Sequence, residues 1–423
     1  MATQTSAAVR PSALASVLLV VGVVALFFIW GGVTSLNDIL IPKLKGLFQL
    51  GYAQAMLTQF AFFTAYAVIS LPAGLLVARV GYGRGIAFGL GAMALGCLMF
   101  VPAASTAAYG LFLAALFVVA GGITILQVAA NPLIAELGDA RTSHSRLTFA
   151  QAFNSLGTTI APLIGARLIL SSISGASHAA GPVSVAVRAR EAAVIGHTYV
   201  GIAVVLTVIA ILFWLGRRRF GVSSAAVGAP AAQGGGLALL KRPRLAMGVA
   251  AIFLYVGAEV SIGSMMVNYL MLPSKLGLGQ QAAGEHISLY WGGAMLGRFL
   301  GSALLRMVSP GKLLLGAAAT ACALALVSAS TTGAFAGWSL IAVGLFNSIM
   351  FPTIFSLALE GMGERTPQAS GLLCMAIVGG AIVPVVGGLV ADASSLPVAL
   401  IVPAACYALV AAFGWAARKP AVA

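Results

Sequence analysis

The sequence predicts an all-α membrane protein of twelve transmembrane helices, arranged as two pseudo-symmetric six-helix bundles. Three observations carry this reading: a composition too apolar for a water-exposed surface, a dozen apolar runs of spanning length, and residue patterns that recur at one offset in the two halves. Of 423 residues, 61% are hydrophobic and 8% charged, whereas a soluble globular chain carries about 25% charged residues. So few charges cannot cover a surface facing water, so most of it must face lipid. The 51 glycines point the same way, because small residues let membrane helices approach one another closely.

A membrane span needs about 20 mostly apolar residues. Runs of this kind occupy 16–41, 53–78, 85–103, 107–133, 147–171, 198–216, 245–272, 284–306, 312–330, 334–359, 368–391 and 396–416. The small, polar stretch 172–197 reads as a loop. The polar N-terminal tail leads into the first run without a small-residue cleavage site, as expected of a retained span. With both termini on one side, 16 of the 23 Lys and Arg residues fall on that side and 6 on the other, with Arg298 inside a span. Basic loops mark the cytoplasmic side, so both ends are expected in the cytoplasm. The same bias accounts for the net charge of +14 without nucleic acid, for which there is neither a Lys/Arg-dense domain nor a motif. Cys97, Cys322, Cys374 and Cys406 stand singly in apolar runs, with no CxxC spacing to suggest zinc or disulfides.

The segment 217–244 opens with Arg217-Arg218-Arg219, continues through Gly, Ala and Ser, and closes with Lys241-Arg242-Pro243-Arg244. It reads as a cytoplasmic linker between an N-terminal bundle, 1–216, and a C-terminal bundle, 245–423. Phe28-x-Trp30-x-Gly32 is mirrored by Phe253-x-Tyr255-x-Gly257, and Gly74 with Arg79 by Gly301 with Arg306. Asn131-Pro132 is mirrored by Phe351-Pro352, and Pro162 with Gly165 by Pro384 with Gly387; all four offsets fall between 220 and 227 residues. Four matches at one offset argue for duplication. Parallel six-helix repeats joined by a cytoplasmic loop resemble the major facilitator architecture.

Polar groups inside a membrane are costly and mark functional candidates. Asp38 sits at the end of the first span and Glu259 well inside the seventh, and both are candidate ion-coupling carboxylates. For Asp38 the alternative is a solvated residue at an outer helix end; for Glu259 it is a structural bond to another helix, Arg298 inside the next span being the basic candidate. Gln127 and Asn131, four apart, share a helix face, as do Gln151 and Asn154, three apart. Asn347 stands five residues before Pro352, as Gln127 stands five before Pro132, placing amides at equivalent points of both halves. Neutral amides donate and accept, which suits an uncharged, polyhydroxylated ligand; helix-to-helix gluing is the competing reading. Asn268, Trp291, Gln59 and Tyr290 are weaker candidates, since aromatics near span ends are commonly interface anchors. Arg79, Arg84, Arg298 and Arg306 are candidates to hold the halves together by capping helix ends. His144, His178, His197 and His286 fall in loops or near span ends and form no metal set. No nucleophile–base pair, GxSxG elbow or Walker motif is present, so the chain is not expected to be an enzyme or an ATP-driven pump.

Gly74-x-x-x-x-Arg79-x-Gly81-x-x-Arg84 resembles the major facilitator loop motif, with Ala78 where an acidic residue usually stands, which argues against a salt-bridge gate there. Leu36-Asn37-Asp38-Ile39-Leu40-Ile41-Pro42, Ala129-Ala130-Asn131-Pro132 and Gln151-Ala152-Phe153-Asn154-Ser155 resemble the fucose–galactose–glucose/proton symporter family. In the second half the resemblance includes Gly257-Ala258-Glu259-Val260-Ser261, Tyr290-Trp291-Gly292 and Phe346-Asn347-Ser348-Ile349-Met350-Phe351-Pro352. It implies proton coupling at Asp38 and sugar contact at Gln151 and Asn154. Fucose permeases carry Glu where this chain has Gln127; an amide cannot titrate, and the resemblance is to the glucose/galactose branch. The expectation is a secondary transporter in the bacterial inner membrane, importing a neutral hexose with a cation by alternating access. Its substrate site is expected to use Gln127, Asn131, Gln151, Asn154, Asn347, Asn268 and Trp291. No cofactor is expected beyond the coupling ion, proton or sodium, and the chain is read as a monomer in contact with lipid. A facilitative uniporter, a drug exporter, and a membrane sensor or enzyme are the alternatives.

Overall fold

The computed structural model describes residues 13–48, 52–106, 108–165, 185–217 and 236–418. Among them all regular structure is helical. The helices are α1 (Ala13–Phe48), α2 (Tyr52–Val80), α3 (Tyr82–Thr106), α4 (Tyr109–Glu136), α5 (Ser143–Gly165), α6 (Val185–Gly216), α7 (Pro243–Met271) and α8 (Gln280–Leu304). They continue with α9 (Pro310–Ser330), α10 (Gly333–Asn347), α11 (Met350–Leu359), α12 (Thr366–Met375), α13 (Gly379–Ala393), α14 (Leu396–Ala399) and α15 (Ile401–Ala416). Three expected spans are therefore broken rods: α10 with α11, α12 with α13 through the 3₁₀ turn Ala376–Val378, and α14 with α15.

Ten of the described rods are long and apolar enough to cross a membrane. α5 and α8 fall short of that apolarity, and the reason is their position: they face each other across the two halves. There Ser155 and Thr159 of α5 meet Arg298 and Met295 of α8, and Gln151, Asn154 and Thr158 make α5 more polar still. Elsewhere Leu95, Val204, Leu212, Leu215, Leu296, Leu300 and Leu389 are exposed on the outside of the molecule. That surface is apolar outside as well as inside, as lipid requires. The chain is a multi-pass membrane protein.

One expectation is corrected. The stretch 172–197 was expected to be a loop, but α6 starts at Val185 rather than at 198. Its first turns, Val185-Ala-Val-Arg-Ala-Arg-Glu-Ala-Ala, hold strong helix formers beside charges, so helix continues beyond the apolar run. Within 217–244, Gly236–Lys241 forms a 3₁₀ turn and Pro243 and Arg244 already belong to α7, proline being well suited to a helix's first position. Residues 218–235 lie outside the described ones.

Within the first half α1 packs on α5, α2 on α4, and α3 on both α4 and α6; within the second, α7 packs on α13 and α15, and α8 on α10. Glycine sets how closely the key pairs approach, and it does so twice in the same way. A Cβ on Gly157 of α5 would lie 2.1 Å from Phe28 O of α1, and one on Gly379 of α13 would lie 2.0 Å from Phe253 O of α7. The α2–α3 turn needs Gly81 for a different reason: its φ is 83°, a conformation that costs other residues strain.

The halves meet through α5 against α8 and α11, and through α2 and α4 against α12. Many of the bonds that cross lie at the helix ends bearing the Arg-rich loops, here termed the basic face. Ser145 Oγ donates to Ser302 O at 2.6 Å, and Arg306 Nε to Ser145 Oγ at 3.3 Å. Gly74 of α2 packs against Pro367 and Gln368, and Gly371 against Ser70 O. The structure is closed at this face. Arg79 and Arg84, expected to help hold the halves, are exposed and make no hydrogen bond among the described residues. Arg298 and Arg306 do so instead.

Candidate substrate and ion site

The two prolines of the repeat build the centre of the molecule. Proline has no N–H and cannot satisfy the carbonyl four residues before it. Pro132 thus leaves Val128 O free, and Ser370 Oγ of the other half donates to it at 3.0 Å. Pro352 leaves Ser348 O free, and Arg298 Nε donates to it at 3.2 Å. α4 runs on through Pro132, whereas a break falls before Pro352, between α10 and α11.

Beside each proline a buried amide donates to a tyrosine hydroxyl. Gln127 Nε2 donates to Tyr66 OH at 2.7 Å, and Asn347 Nδ2 to Tyr290 OH at 2.7 Å. The same bond thus recurs at equivalent places in the two halves. Gln151 Nε2 donates to Asn131 Oδ1 at 3.3 Å, and Asn154 Nδ2 to Phe27 O of α1 at 3.1 Å. Asn131 Nδ2 and Asn347 Oδ1 are fully buried without a partner among the described residues, one a donor and the other an acceptor. Leaving such a group unpaired costs about 1–3 kcal/mol.

Glu259 is half-buried on α7. Its Oε1 accepts from Tyr255 OH at 2.7 Å, and that hydroxyl also lies 3.0 Å from Asn347 O. The expected partner Arg298 is not ion-paired with it within 4 Å among the described residues. Arg298 reaches across the halves instead, donating to Ser155 Oγ and, at 3.5 Å, to Gln151 O. One guanidinium therefore joins the amide cluster of α4 and α5 to the carbonyl beside Asn347. Asp38 falls in α1, but its side chain lies outside the described residues.

The structure brings together Gln127, Asn131, Gln151, Asn347 and Glu259, with Asn154 one turn beyond Gln151. Asn268 does not join them: it is exposed on α7 and bonds to nothing among the described residues. Trp291 is 42% exposed and packs edge to face on Tyr290, with ring centroids 5.0 Å apart. Tyr290 itself, ranked low as an interface anchor, is fully buried and bonded on both sides, its hydroxyl donating to Glu259 O at 3.3 Å. Sequence reasoning missed Tyr66, Tyr255 and Ser155. The repeat offset held a signal for the first, since Tyr66 and Tyr290 are related by the same spacing as the mirrored motifs.

Comparison with known proteins agrees with this architecture. The Major Facilitator Superfamily profile matches residues 18–377. The chain is 50% identical over 402 residues to a glucose/galactose transporter of Brucella abortus, covering 93% of this chain and 92% of that one. It is 35% identical over 404 residues to the L-fucose-proton symporter of Escherichia coli, covering 92% and 90%. The crystal structure of the transporter FucP in the outward conformation superposes with a TM-score of 0.87 at 34% identity, over 96% of this chain and 99% of that one. By profile, sequence and fold together, the chain belongs to the major facilitator superfamily and, within it, to the fucose–galactose–glucose/proton symporter family.

Proposed function

We propose that this protein imports a neutral hexose of the glucose or galactose kind together with a proton, by alternating access. The observation that carries this is the mirrored amide–tyrosine pair, Gln127 with Tyr66 and Asn347 with Tyr290. It supplies hydrogen-bonding capacity without fixed charge, and a sugar hydroxyl both donates and accepts. Asn131 Nδ2 and Asn347 Oδ1, unpaired among the described residues, offer a hydroxyl-bearing ligand one bond of each sense once the site opens to it. The Brucella relative is named a glucose/galactose transporter and the E. coli relative a proton symporter; Gln127, where fucose permeases carry Glu, favours the hexose of the former.

Residues 1–216 and 245–423 act as two rocking bodies joined by the cytoplasmic linker 217–244. Gln127, Asn131, Gln151, Asn154 and Asn347 contact the sugar, with Asn268 and Trp291 on its approach. Asp38 carries the coupling charge, with Glu259 as the second carboxylate. The protein works as a monomer in the bacterial inner membrane, with its basic face and both termini in the cytoplasm. Closure at the basic face is then the state open to the outside. The test is uptake of a hexose panel by proteoliposomes under imposed proton or sodium gradients. Glucose or galactose accumulating under an inward proton gradient supports the proposal. Counterflow without accumulation reduces it to a uniporter, accumulation with sodium alone reassigns the ion, and no translocation of any hexose refutes it.

A further inference from the structure

The basic face holds a charged trio that the sugar and ion sites do not use. His144 stands at the start of α5 in the first half, whereas Ser356 on α11 and Glu360 just past its end belong to the second. The His144 side chain is 12% exposed, and its Nε2 lies 3.2 Å from Glu360 Oε1. Its Nδ1 lies 2.6 Å from Ser356 Oγ. The other Glu360 oxygen pairs with Arg244 of α7, whose Nε donates to Leu357 O at 2.9 Å.

The proton positions follow from what each atom can give. Ser356 Oγ lies 2.7 Å from Pro352 O. Two oxygens that close require a hydrogen between them, and a hydroxyl has only one. With that hydrogen committed, Ser356 can only accept from His144, so Nδ1 carries a hydrogen. Nε2 faces a carboxylate oxygen, which accepts and does not donate, so it carries one too. An imidazole with hydrogen on both nitrogens is a cation, and this one forms its ion pair across the gap between the halves.

The other charged groups around this end of α5 are engaged elsewhere. Arg146 donates to Ile134 O, Ala135 O and Asp139 O, and Asp139 Oδ1 accepts from Arg141 N. Arg306 of α8 bonds Ser145, Glu136 at the end of α4 accepts from Tyr82, and Arg242 beside α7 donates to Gly361 O. Glu364 and Arg365 are exposed on the 3₁₀ turn that follows. None of these groups bonds or ion-pairs with His144 among the described residues. The neighbouring Ser145–Ser302 bond is neutral, so among the described residues the ion pair that bridges the halves here is His144–Glu360, and histidine is the side chain whose charge ordinarily changes near neutral pH.

We propose that His144 is a proton-held latch between the halves: its ring takes up a proton as the basic face closes and returns it to the same side as that face opens. Acidity on that side then favours the closed face. The proton is not carried across, so the latch sets the rate and balance of the cycle without adding to the transported charge. The proposal rests on the alternating-access reading above. A single proton bound only in the closed state shifts the closed-to-open ratio by at most about tenfold per pH unit.

Two measurements test it. Solid-state NMR of the wild-type protein with ¹⁵N-labelled histidine rings, assigned through His144→Gln, is expected to show both ring nitrogens protonated at pH 6. A neutral ring there overturns the proposal. Spin-label distances between Arg141→Cys and Glu364→Cys, with the four native cysteines replaced, are expected to shift several-fold toward the short, closed population from pH 8 to pH 6. That shift is expected to vanish in His144→Gln and Glu360→Gln and to survive in Asp38→Asn. Two populations that respond to pH in His144→Gln as in the wild type refute the latch alone. A single distance under every pH and sugar refutes alternating access and the latch with it.

Discussion

Glu259→Gln separates two roles for the carboxylate of α7, and the geometry fixes how large each effect is. Glutamine keeps an oxygen where Glu259 Oε1 accepts from Tyr255 OH at 2.7 Å, so the substitution removes charge and little else. A hydrogen bond to a charged group contributes about 1.5–3 kcal/mol and a neutral one about 0.5–1.5, a difference of about 1 kcal/mol. Tyr255 OH also has Asn347 O at 3.0 Å as a second acceptor, which limits the loss further. Breaking a buried ion pair would instead cost about 3–5 kcal/mol. Because Arg298 is bonded to Ser348 O, Gln151 O and Ser155 rather than to Glu259, the smaller figure is expected. Uptake is the second readout. A coupling carboxylate is loaded by protons from outside, so wild-type uptake rises as external pH falls; a fixed neutral amide makes that profile flat. The assay pairs a thermal melt in detergent with initial uptake rates across pH. A stability loss of 3–5 kcal/mol would show that Glu259 has a cationic partner after all, and a wild-type pH profile would remove it from coupling.

Asp38→Asn is expected to abolish gradient-driven accumulation while sparing counterflow exchange; full accumulation by this variant would take Asp38 out of the coupling role. Gln151→Ala and Asn154→Ala each remove one hydrogen bond from the site, worth about 0.5–1.5 kcal/mol, and are expected to weaken hexose binding roughly 2- to 12-fold in a titration. Unchanged affinity in both would move the sugar elsewhere. Gly157→Ala and Gly379→Ala each force a Cβ to about 2 Å from a carbonyl oxygen of the crossing helix. They are expected to cost at least the 1–3 kcal/mol or so of an overpacked core, whereas Gly91→Ala, with nothing within 4 Å, is expected to melt as the wild type does.

The spans were legible because length and apolarity are local properties, and a helix in lipid must satisfy its backbone within itself. The same logic set their limits wrongly at α6: hydropathy reports immersion in lipid, and helix persists past it from Val185 where local propensity allows. The duplication was legible too, since mirrored motifs share one offset, and it located the amides Gln127 and Asn347 and the prolines beside them. Which group each residue bonds was not legible. Gln127 meets Tyr66 across 61 positions and Asn347 meets Tyr290 across 57, and nothing in either stretch marks the other. Tyr290 looked like an anchor because sequence depth along a span does not tell which side of the helix faces protein. Arg298 looked like the partner of Glu259 because it was the basic residue that fell inside a span. The fold turned it toward Ser348 O, a carbonyl left open by Pro352, and across to α5. His144 looked like a loop histidine, and only the meeting of α5 with α11 gave it Ser356 and Glu360. The sequence by itself determined the solvent, the number of rods and their twofold plan, because these depend on composition and spacing. The tertiary structure decided the partners, because a hydrogen bond is a matter of ångströms between atoms that the chain brings together only by folding.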